Sequence, residues 1–276
     1  MYNQKLNAMT AVITGGNGVI GGVFARALAG EGADIAIICR NTGSAEGVMK
    51  DIRELEREAA VFQGDVLSRE DMLRCREEIL TRFGHINMLV NCAGGALKGA
   101  AVPQDQYSED SKEEGNFFTT ASEKIHQEFD LNTYGTILPT QIFGEVLIGQ
   151  ENANIINVSS MGAYHPMTRI PGYAGAKAAV TNFTEWAATY FAKSGVRVNA
   201  VAPGFFQTPQ NHDLQFFPDG TPTPRTNKII AATPMGRFGK PEELASAVLF
   251  LADPSSSFVT GTVIPVDGGF HCYPGV

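Results

Sequence analysis

The sequence predicts an α/β fold in which one doubly wound parallel sheet of about seven strands carries helices on both of its faces. Two observations support this prediction. Short apolar runs alternate with amphipathic stretches along the chain, and a glycine-rich turn stands between the first apolar run and the first helical stretch. Parallel strands need long, usually helical connections, so this alternation is typical of a parallel sheet.

The alternation defines the elements in chain order. Strands are predicted where runs rich in Ala, Val, Ile and Leu occur, at residues 8–14, 34–39, 60–64, 86–91, 154–159, 196–202 and 262–266. Helices are predicted between them, from the glycine turn through residue 29, over 45–58, 69–83, 132–146 and 173–194, and from Pro241 onwards. No linker or change of composition divides the 276 residues, so we expect a single domain over 1–276.

Two stretches interrupt the alternation. Residues 95–127 are largely polar and acidic, and residues 205–234 are rich in proline. Connections of this length inside a compact domain usually have a function. We therefore expect an insertion at 95–127 and a substrate lid at 205–234, whose prolines would limit the number of open conformations.

The composition excludes several classes of partner. A formal net charge of −8 argues against binding to nucleic acid or to an anionic membrane, because phosphate binding needs clustered lysines and arginines. No cluster suggests a metal site, and the cysteines lack the paired spacing of a zinc or redox motif; they are Cys39, Cys75, Cys92 and Cys272. With no signal peptide and no apolar run of about 18 residues, the chain is expected to be a soluble cytoplasmic protein.

The stretch from Ser160 to Lys177 brings together a hydroxyl, a phenol and an ammonium group. Tyr173 and Lys177 are four residues apart in a segment with the pattern of a long buried helix, so they share one helix face. A neighbouring positive charge favours the phenolate and lowers the pKa of tyrosine from about 10, towards the range of a general acid or base. The same pair also occurs on amphipathic helices without any function, so it needs support from the rest of the chain.

A nucleotide site is predicted at the carboxyl edge of the sheet, where ligands bind in doubly wound folds. The turn that begins at Gly15 lets the backbone approach a pyrophosphate, whose charge is met by the free N–H groups of the following helix. Asp65 follows the third strand, where a carboxylate can reach an adenine amino group, and Asn91 ends the fourth strand at the same edge. A glycine turn by itself could also be no more than a tight turn.

Taken together, these motifs resemble the short-chain dehydrogenase/reductase family over essentially the full chain length. The resemblance implies a Rossmann-type fold that binds NADP or NAD through Thr14, Gly15, Asn17, Gly18, Val19, Ile20, Gly21, Asp65, Val66, Asn91, Ala93, Gly94, Tyr173, Lys177, Pro203, Gly204, Phe206 and Thr208. One position departs from the family pattern. Val19 stands where a glycine is usual, which suggests a slightly different path for the pyrophosphate loop.

The resemblance also implies catalytic roles for Asn132, Ser160, Tyr173 and Lys177. Tyr173 protonates the forming alkoxide in reduction, or takes the hydroxyl proton in oxidation, while hydride moves to or from the nicotinamide. Lys177 lowers the pKa of Tyr173 and binds the ribose. Ser160 hydrogen-bonds the carbonyl oxygen, and Asn132 holds a water molecule that relays protons to Lys177. Two structural alternatives stay open, because Ser160 could cap a turn and Asn132 could satisfy backbone groups at a helix kink.

The choice between NADP and NAD depends on the residue after the second strand. Enzymes that prefer NAD generally carry a carboxylate there, whereas this chain has Arg40. A guanidinium can pair with the 2′-phosphate of NADP. We therefore expect NADP to be preferred, with NAD held through backbone contacts as the alternative.

Longer phrases, such as residues 233–239 and 267–270, resemble one subgroup of the family, the D-mannonate oxidoreductases or fructuronate reductases. The expected reaction is the interconversion of D-fructuronate and D-mannonate. The alternatives are another sugar acid or polyol, such as gluconate, and a nucleotide sensor without turnover. A sugar-acid carboxylate needs a cation, for which Arg169 is the first candidate by proximity to Tyr173, followed by Lys98 and Arg225. Relatives commonly form tetramers, so we expect a homotetramer.

Overall fold

One parallel sheet of seven strands organises the structure, a computed structural model that describes residues 4–109, 115–208, 215–273 and 275. The strand order is β3-β2-β1-β4-β5-β6-β7, and each neighbouring pair is parallel. The strands are β1 (Thr10–Thr14), β2 (Asp34–Cys39), β3 (Ala59–Gln63), β4 (Met88–Asn91), β5 (Asn154–Val158), β6 (Arg197–Pro203) and β7 (Val263–Val266). The predicted fold class is confirmed.

The order of strands reverses between β1 and β4, where Thr14 at the end of β1 pairs with Asn91 at the end of β4. Crossovers leave this edge in opposite directions, and a crevice opens between the first loops that follow the two strands. The glycine turn therefore begins directly beside the segment after β4.

Helices cover both faces of the sheet. In chain order they are α1 (Val19–Gly30), α2 (Glu46–Glu54), α3 (Arg69–Phe83), α4 (Ser122–Phe129), α5 (Gly135–Leu147), α6 (Pro171–Phe191), α7 (Pro224–Ala232) and α8 (Ala245–Ala252). No helix in the described part of the chain is both long and apolar enough to cross a membrane.

The core lies in two apolar layers, one on each side of the sheet. Phe24 and Leu28 of α1 pack with Val248 of α8 on one side, and Phe143 of α5 packs with Ile79 of α3 on the other. Successive strand residues face opposite layers, so strands buried on both faces are continuously apolar. This explains why short apolar runs located the strands to within two residues.

Several helix boundaries differ from the predictions for local reasons. The helix predicted over 45–58 ends at Glu54, because Glu56 adopts a left-handed backbone with φ of 59°. The helix predicted from residue 132 begins at Gly135, after a π-helical turn over Asp130–Tyr134 that contains Asn132. At Pro241 a 3₁₀ turn, Pro241–Leu244, precedes α8.

The two predicted excursions each contain a helix that the sequence pattern did not indicate. Helix α4 begins in the insertion at 95–127 and ends two residues after it; residues 110–114 of the insertion lie outside the described part. Helix α7 lies in the predicted lid at 205–234, of which residues 209–214 lie outside the described part. The start of α7 is capped by Thr223, whose side chain accepts a hydrogen bond from the Thr226 amide at 3.3 Å.

Candidate active site

A cleft of about 560 Å³ runs along the carboxyl ends of β1 and β4. It is lined by the glycine turn, by the ends of β2, β3 and β4, by the start of α6 and by the segment after β6. The predicted cofactor residues that line it are Gly15, Asn17, Gly18, Val19, Ile20, Gly21, Arg40, Asp65, Val66, Ala93, Gly94, Tyr173, Lys177, Gly204, Phe206 and Thr208. The structure thus brings most of these residues together around one cavity.

The glycine turn is fixed by close backbone packing. Gly15 has φ of +66°, and a Cβ atom there would lie 2.9 Å from the Cα of Ala93. A Cβ atom on Gly21 would collide with the carbonyl oxygen of Gly15. Gly18 precedes α1 without a side-chain cap, so the first N–H groups of the helix, from Val19 onwards, can meet an anion. This arrangement fits the pyrophosphate of a dinucleotide.

Asp65 and Arg40 lie where the adenosine half of such a ligand would bind. Asp65 is partly buried, and its Oδ1 accepts a hydrogen bond from the Leu67 amide at 3.0 Å, which fixes the carboxylate after β3. Arg40 is exposed at the end of β2, and its side chain makes no hydrogen bond within the described residues. Its guanidinium is therefore available for a ligand.

Three predicted cofactor residues, Thr14, Asn91 and Pro203, do not line the cleft. Thr14 is buried, and its Oγ1 accepts hydrogen bonds from the amides of Cys92 at 3.1 Å and Ala93 at 3.2 Å. The buried Asn91 donates through Nδ2 to side-chain oxygens of Thr140 and Asn157, at 2.9 Å each. Pro203 is buried at the end of β6. The hydrogen bonds of Thr14 and Asn91 join the ends of neighbouring strands, so these two residues support the wall of the cleft without lining it.

Tyr173 and Lys177 both lie on the first turns of α6 and line the cleft. Lys177 is only 4% exposed; its Nζ donates to the Val158 carbonyl at 2.7 Å and lies 5.8 Å from the centre of the Tyr173 ring. Burial lowers the pKa of Lys177 to about 8. A cation with so lowered a pKa is poised to lose or relay a proton near neutral pH.

The predicted lowering of the Tyr173 pKa is not observed. Burial raises the pKa of the phenol, a hydrogen bond with the Ser160 side chain lowers it, and the negative charge of Glu128 raises it further. In this structure desolvation is the largest effect, because the phenol is enclosed while the Lys177 ammonium binds the Val158 carbonyl.

Ser160 and Asn132 lie beside this pair and also have structural partners. The buried Ser160 caps the 3₁₀ turn Met161–Ala163, where its Oγ accepts a hydrogen bond from the Gly162 amide at 3.1 Å. Asn132 is fully buried; its Oδ1 accepts from the Gly95 amide at 2.9 Å, and its Nδ2 donates to the Gly95 carbonyl at 3.0 Å. Both structural alternatives are thus realised at the positions that the catalytic prediction requires.

A second cavity of about 300 Å³ is lined by cations from two elements. Its walls include Arg169, which precedes α6, and Arg225 and Lys228 of α7, together with Asp105 from the insertion. Phe205, which precedes the cofactor-cleft residue Phe206, also lines it. The cavity therefore adjoins the cleft at these two neighbouring residues.

The three cations of this cavity differ in their partners. Asp105 accepts hydrogen bonds from Arg169 Nε at 2.7 Å through Oδ1, and from Lys228 Nζ at 2.7 Å through Oδ2. These two bonds hold the pKa of Asp105 well below its usual range, Lys228 having the larger effect. Arg225 is half-buried and has no hydrogen bond or ion pair within the described residues. Burial, followed by the charge of Arg169, lowers its pKa.

The third predicted cation, Lys98, is exposed and lines neither cavity. The sequence did not single out Asp105, Lys228 or the buried Glu128, which contacts the start of α6. The sequence signal that could have identified Glu128 is its spacing from Asn132. It precedes Asn132 by four residues, which is one helical turn. Within the described residues no group of three or more His, Cys, Asp or Glu side chains could hold a metal ion.

Residues 16–271 match the family model described as enoyl-(acyl carrier protein) reductase. The chain is 46% identical over 275 residues to the uncharacterized oxidoreductase UxuB of Bacillus subtilis, with 99% of each chain covered. It is 33% identical over 279 residues to galactitol 2-dehydrogenase of Rhizobium johnstonii, with 99% of each chain covered.

A solved structure is also similar. It is that of a candidate D-mannonate oxidoreductase from Haemophilus influenzae with bound NAD, at 45% identity and a TM-score of 0.95, with 98% of each chain covered.

Proposed function

Since the chain belongs to the short-chain dehydrogenase/reductase family, we propose that it interconverts D-fructuronate and D-mannonate with NAD(P) as the hydride carrier. Membership makes it an NAD(P)-dependent oxidoreductase that acts on a CH–OH group. The substrate is the part that we add. It is supported by the likeness to the candidate D-mannonate oxidoreductase and by the cationic cavity that adjoins the cofactor cleft at Phe205.

The residues at the start of α6 have the following roles in this proposal. Bound NAD(P) supplies or accepts the hydride. Tyr173 gives its phenolic proton to the alkoxide oxygen in reduction and takes the hydroxyl proton in oxidation. Ser160, which interacts with the phenol, donates to the same substrate oxygen. Lys177 holds a proton at Nζ, and its pKa of about 8 lets it return that proton near neutral pH.

Asn132 fixes the wall of the site. Its side chain forms hydrogen bonds with both the amide and the carbonyl of Gly95. A Cβ atom on the neighbouring Gly94 would lie 2.7 Å from Oδ1 of Asn132 and 3.4 Å from Nζ of Lys177. The Gly94 backbone therefore passes between Asn132 and Lys177 with little room. We propose that the water relay implied for Asn132 runs through its main chain, because its side-chain atoms already bind Gly95.

The observation that carries the substrate class is the guanidinium of Arg225, which has no ion-pair partner among the residues that the structure describes. Three positive side chains and one carboxylate line the second cavity, which leaves an excess of two positive charges in a chain whose net charge is −8. A half-buried cation without a counter-ion is costly, and a ligand carboxylate offsets that cost. The cavity thus favours a sugar acid over a neutral polyol.

Arg225 is a better candidate for the substrate carboxylate than Arg169, the first choice from the sequence. Nε of Arg169 is bound to Asp105, and its backbone is held by a hydrogen bond from the Val102 amide at 2.6 Å. Arg169 also has φ of +73°, so the surrounding chain constrains it. In this proposal Arg169 holds the cavity wall and repels Arg225 towards the ligand.

The stretch 205–234 closes the substrate side in this proposal. Its α7 carries both Arg225 and Lys228, and Lys228 reaches across to Asp105 of the insertion. At its other end, the ring of Phe205 packs edge-on against Phe270, with ring centres 5.3 Å apart. These contacts connect the lid to the insertion and to the C-terminal segment, so water would be excluded where they close.

The test follows nicotinamide absorbance with D-fructuronate and D-fructose in reduction, and with D-mannonate, D-gluconate and galactitol in oxidation. We expect kcat/KM for D-fructuronate to exceed that for D-fructose by about a hundredfold, since one charge-assisted pair distinguishes them. Faster oxidation of gluconate or galactitol would favour the alternative dehydrogenase. Binding of NAD(P) without turnover of any compound would favour the nucleotide sensor.

The carboxylate assignment is tested by Arg225→Gln. We expect KM for D-fructuronate to rise about tenfold or more and KM for NAD(P) to change less than about twofold, because only the acid contacts this side chain. Arg53→Gln, which changes an exposed arginine of α2, is the matched control. An unchanged KM for D-fructuronate in Arg225→Gln would mean that another cation binds the substrate carboxylate.

The expected homotetramer and cytoplasmic location remain proposals. Light scattering after size-exclusion chromatography measures the first, and we expect a mass near four times 29.6 kDa. A monomeric mass would overturn it. Fractionation of the producing cells measures the second.

A further inference from the structure

Glu128 is a fully buried carboxylate on α4, directly behind the start of the catalytic helix α6. Burial raises its pKa, and the only groups that lower it in the described structure are the backbone amides of Leu97 and Tyr173. Burying a carboxylate there costs free energy, which an apolar side chain of similar volume would avoid. The presence of an acid at this position therefore indicates a role. Its contacts indicate that role.

The Glu128 side chain joins two separate segments. Its Oε1 accepts a hydrogen bond from the Leu97 amide at 2.8 Å, in the loop after β4. The amide of Tyr173 also acts on this carboxylate. Tyr173 is the third residue of α6, so its N–H has no partner within the helix, and the Glu128 carboxylate is the acceptor that another element brings close to it.

The space around the carboxylate is closed. A Cβ atom on Gly172 would lie 2.5 Å from Oε2 of Glu128, so any larger residue at 172 would force the Glu128 carboxylate to move. Oε2 makes no hydrogen bond of normal geometry in the described structure. The start of α6 is therefore in direct contact with the acid.

Asn132 connects Glu128 to the same loop. Its Nδ2 donates to the Glu128 carbonyl at 2.9 Å as well as to the Gly95 carbonyl at 3.0 Å. Glu128 and Asn132, one helical turn apart, thus hold Gly95 and Leu97 against the first turn of α6. This loop follows Gly94, which lines the cofactor cleft.

We infer that Glu128 is a positioning residue that fixes Tyr173 relative to the loop after β4, and that its negative charge sets the pH range in which Tyr173 accepts a proton. This inference rests on the proposed role of Tyr173 in proton transfer. A carboxylate suits the position because its oxygens are acceptors only, whereas a glutamine would turn an NH₂ group towards a backbone donor.

The titratable groups that bear on the phenol come from three elements. Lys177 lies on α6 itself, Cys92 follows β4 and Glu128 belongs to α4. The charge of Glu128 disfavours the phenolate and so raises the pKa of Tyr173. Removal of that charge must therefore move the titration of the phenol to lower pH.

The experiment compares Glu128→Gln with the wild type in alcohol oxidation, using the alcohol that the wild type turns over fastest. Oxidation needs the deprotonated phenol, so kcat rises with pH. We expect the midpoint of this rise to move to lower pH and the plateau to fall about tenfold, because a displaced base is less effective. Glu145→Gln, which changes an exposed glutamate of α5, is the control and should keep the wild-type profile.

A second variant and a second readout keep the test decisive. Glu128→Asp retains the charge but shortens the side chain, so we expect a wild-type midpoint with a lower plateau. Hydrogen exchange at the amides of Leu97 and Tyr173 should be faster in Glu128→Gln, whether or not a substrate is known. A lower melting temperature with an unchanged midpoint and unchanged exchange would overturn the inference. Absence of turnover in the wild type would instead count against the proposed function.

Discussion

Around Gly15 the active-site cleft is shaped by the main chain, whereas around Arg225 the adjoining cavity is shaped by charged side chains. On the cofactor side, glycines pack against backbone atoms of Ala93, and N–H groups of α1 face the cleft without a capping side chain. On the substrate side, Asp105 holds Arg169 and Lys228, which come from two other segments.

This difference indicates which substitutions each side of the site can tolerate. Backbone packing of the glycine turn tolerates little substitution, but it requires no particular charge, so it suits a ligand that many relatives share. The charged cavity depends on a few long side chains that can be exchanged without rebuilding the sheet. We expect cofactor binding to fail through steric changes and substrate choice to change through charge.

The largest expected effect is at Lys177, where the two sides meet. Lys177→Met removes the buried cation, and we expect kcat to fall at least about a hundredfold. At pH 7 the same change should stabilise the fold. The lowered pKa of about 8 corresponds to a desolvation cost on the order of 3 kcal/mol, and loss of the bond to Val158 offsets about 1 kcal/mol of the gain.

The pH dependence of this stability difference follows from the pKa. Below about pH 8 Lys177 is protonated in both the folded and unfolded states, so its cost is fully present. As pH rises from about 8 towards 10.5, the ordinary pKa of lysine, only the unfolded state keeps the proton, and the cost disappears. Urea unfolding of both proteins at pH 7 and pH 9.5 measures this, and a difference that grows with pH would contradict it.

A steric change on the cofactor side should have the next largest effect. In Gly21→Ala the new Cβ collides with the Gly15 carbonyl, so we expect a loss of stability of about 1–3 kcal/mol and a clearly higher KM for NAD(P). The matched control is Gly47→Ala in α2, where a Cβ has no atom within 4 Å. That change should stabilise the protein by about 1 kcal/mol and leave KM unchanged. Equal effects of the two variants would contradict the steric explanation.

The sequence predicted the cofactor side of the site better than the substrate side, for a physical reason. The turn from Gly15 to Gly21 is local, so its glycines and the following helix could be recognised in one stretch. Thr14 and Asn91 were assigned to the cofactor because motif position does not reveal which way a side chain points. The structure buries both among strand ends.

Contacts on the substrate side are long-range. Arg169 and Lys228 are 64 and 123 positions from Asp105, and no periodic pattern connects them. The helix that carries Glu128 has few apolar residues, and the helix that carries Arg225 lies in a proline-rich stretch, so the hydrophobic pattern did not indicate them. Thr223 and Pro224, a capping residue and a first-turn proline, were a usable signal for α7.

A smaller effect is expected from Arg40→Ala, which tests charge on the cofactor side. Loss of the guanidinium should lower kcat/KM for NADPH about tenfold and leave the value for NADH within about twofold, because only NADPH carries the 2′-phosphate. The NAD in the similar structure supports use of NAD, while Arg40 supports NADP, and the wild-type ratio of the two values decides between them. A variant that loses NADH activity equally would place Arg40 on the adenine instead.

The smallest effect is expected from Asp105→Asn on the substrate side. Asp105 is ionised at neutral pH, since its bonds to Lys228 and Arg169 lower its pKa, so it contributes stability that is lost only in acid. Its partners are 72% and 36% exposed, and we expect a loss below about 1 kcal/mol at pH 7. The variant also raises the excess charge of the cavity from two to three, so KM for D-fructuronate should fall a few-fold at low salt. About 0.5 M NaCl should remove most of that gain by screening. A KM that rises instead would mean that Asp105 itself binds the substrate, and the cavity would then recognise hydroxyl groups as well as charge.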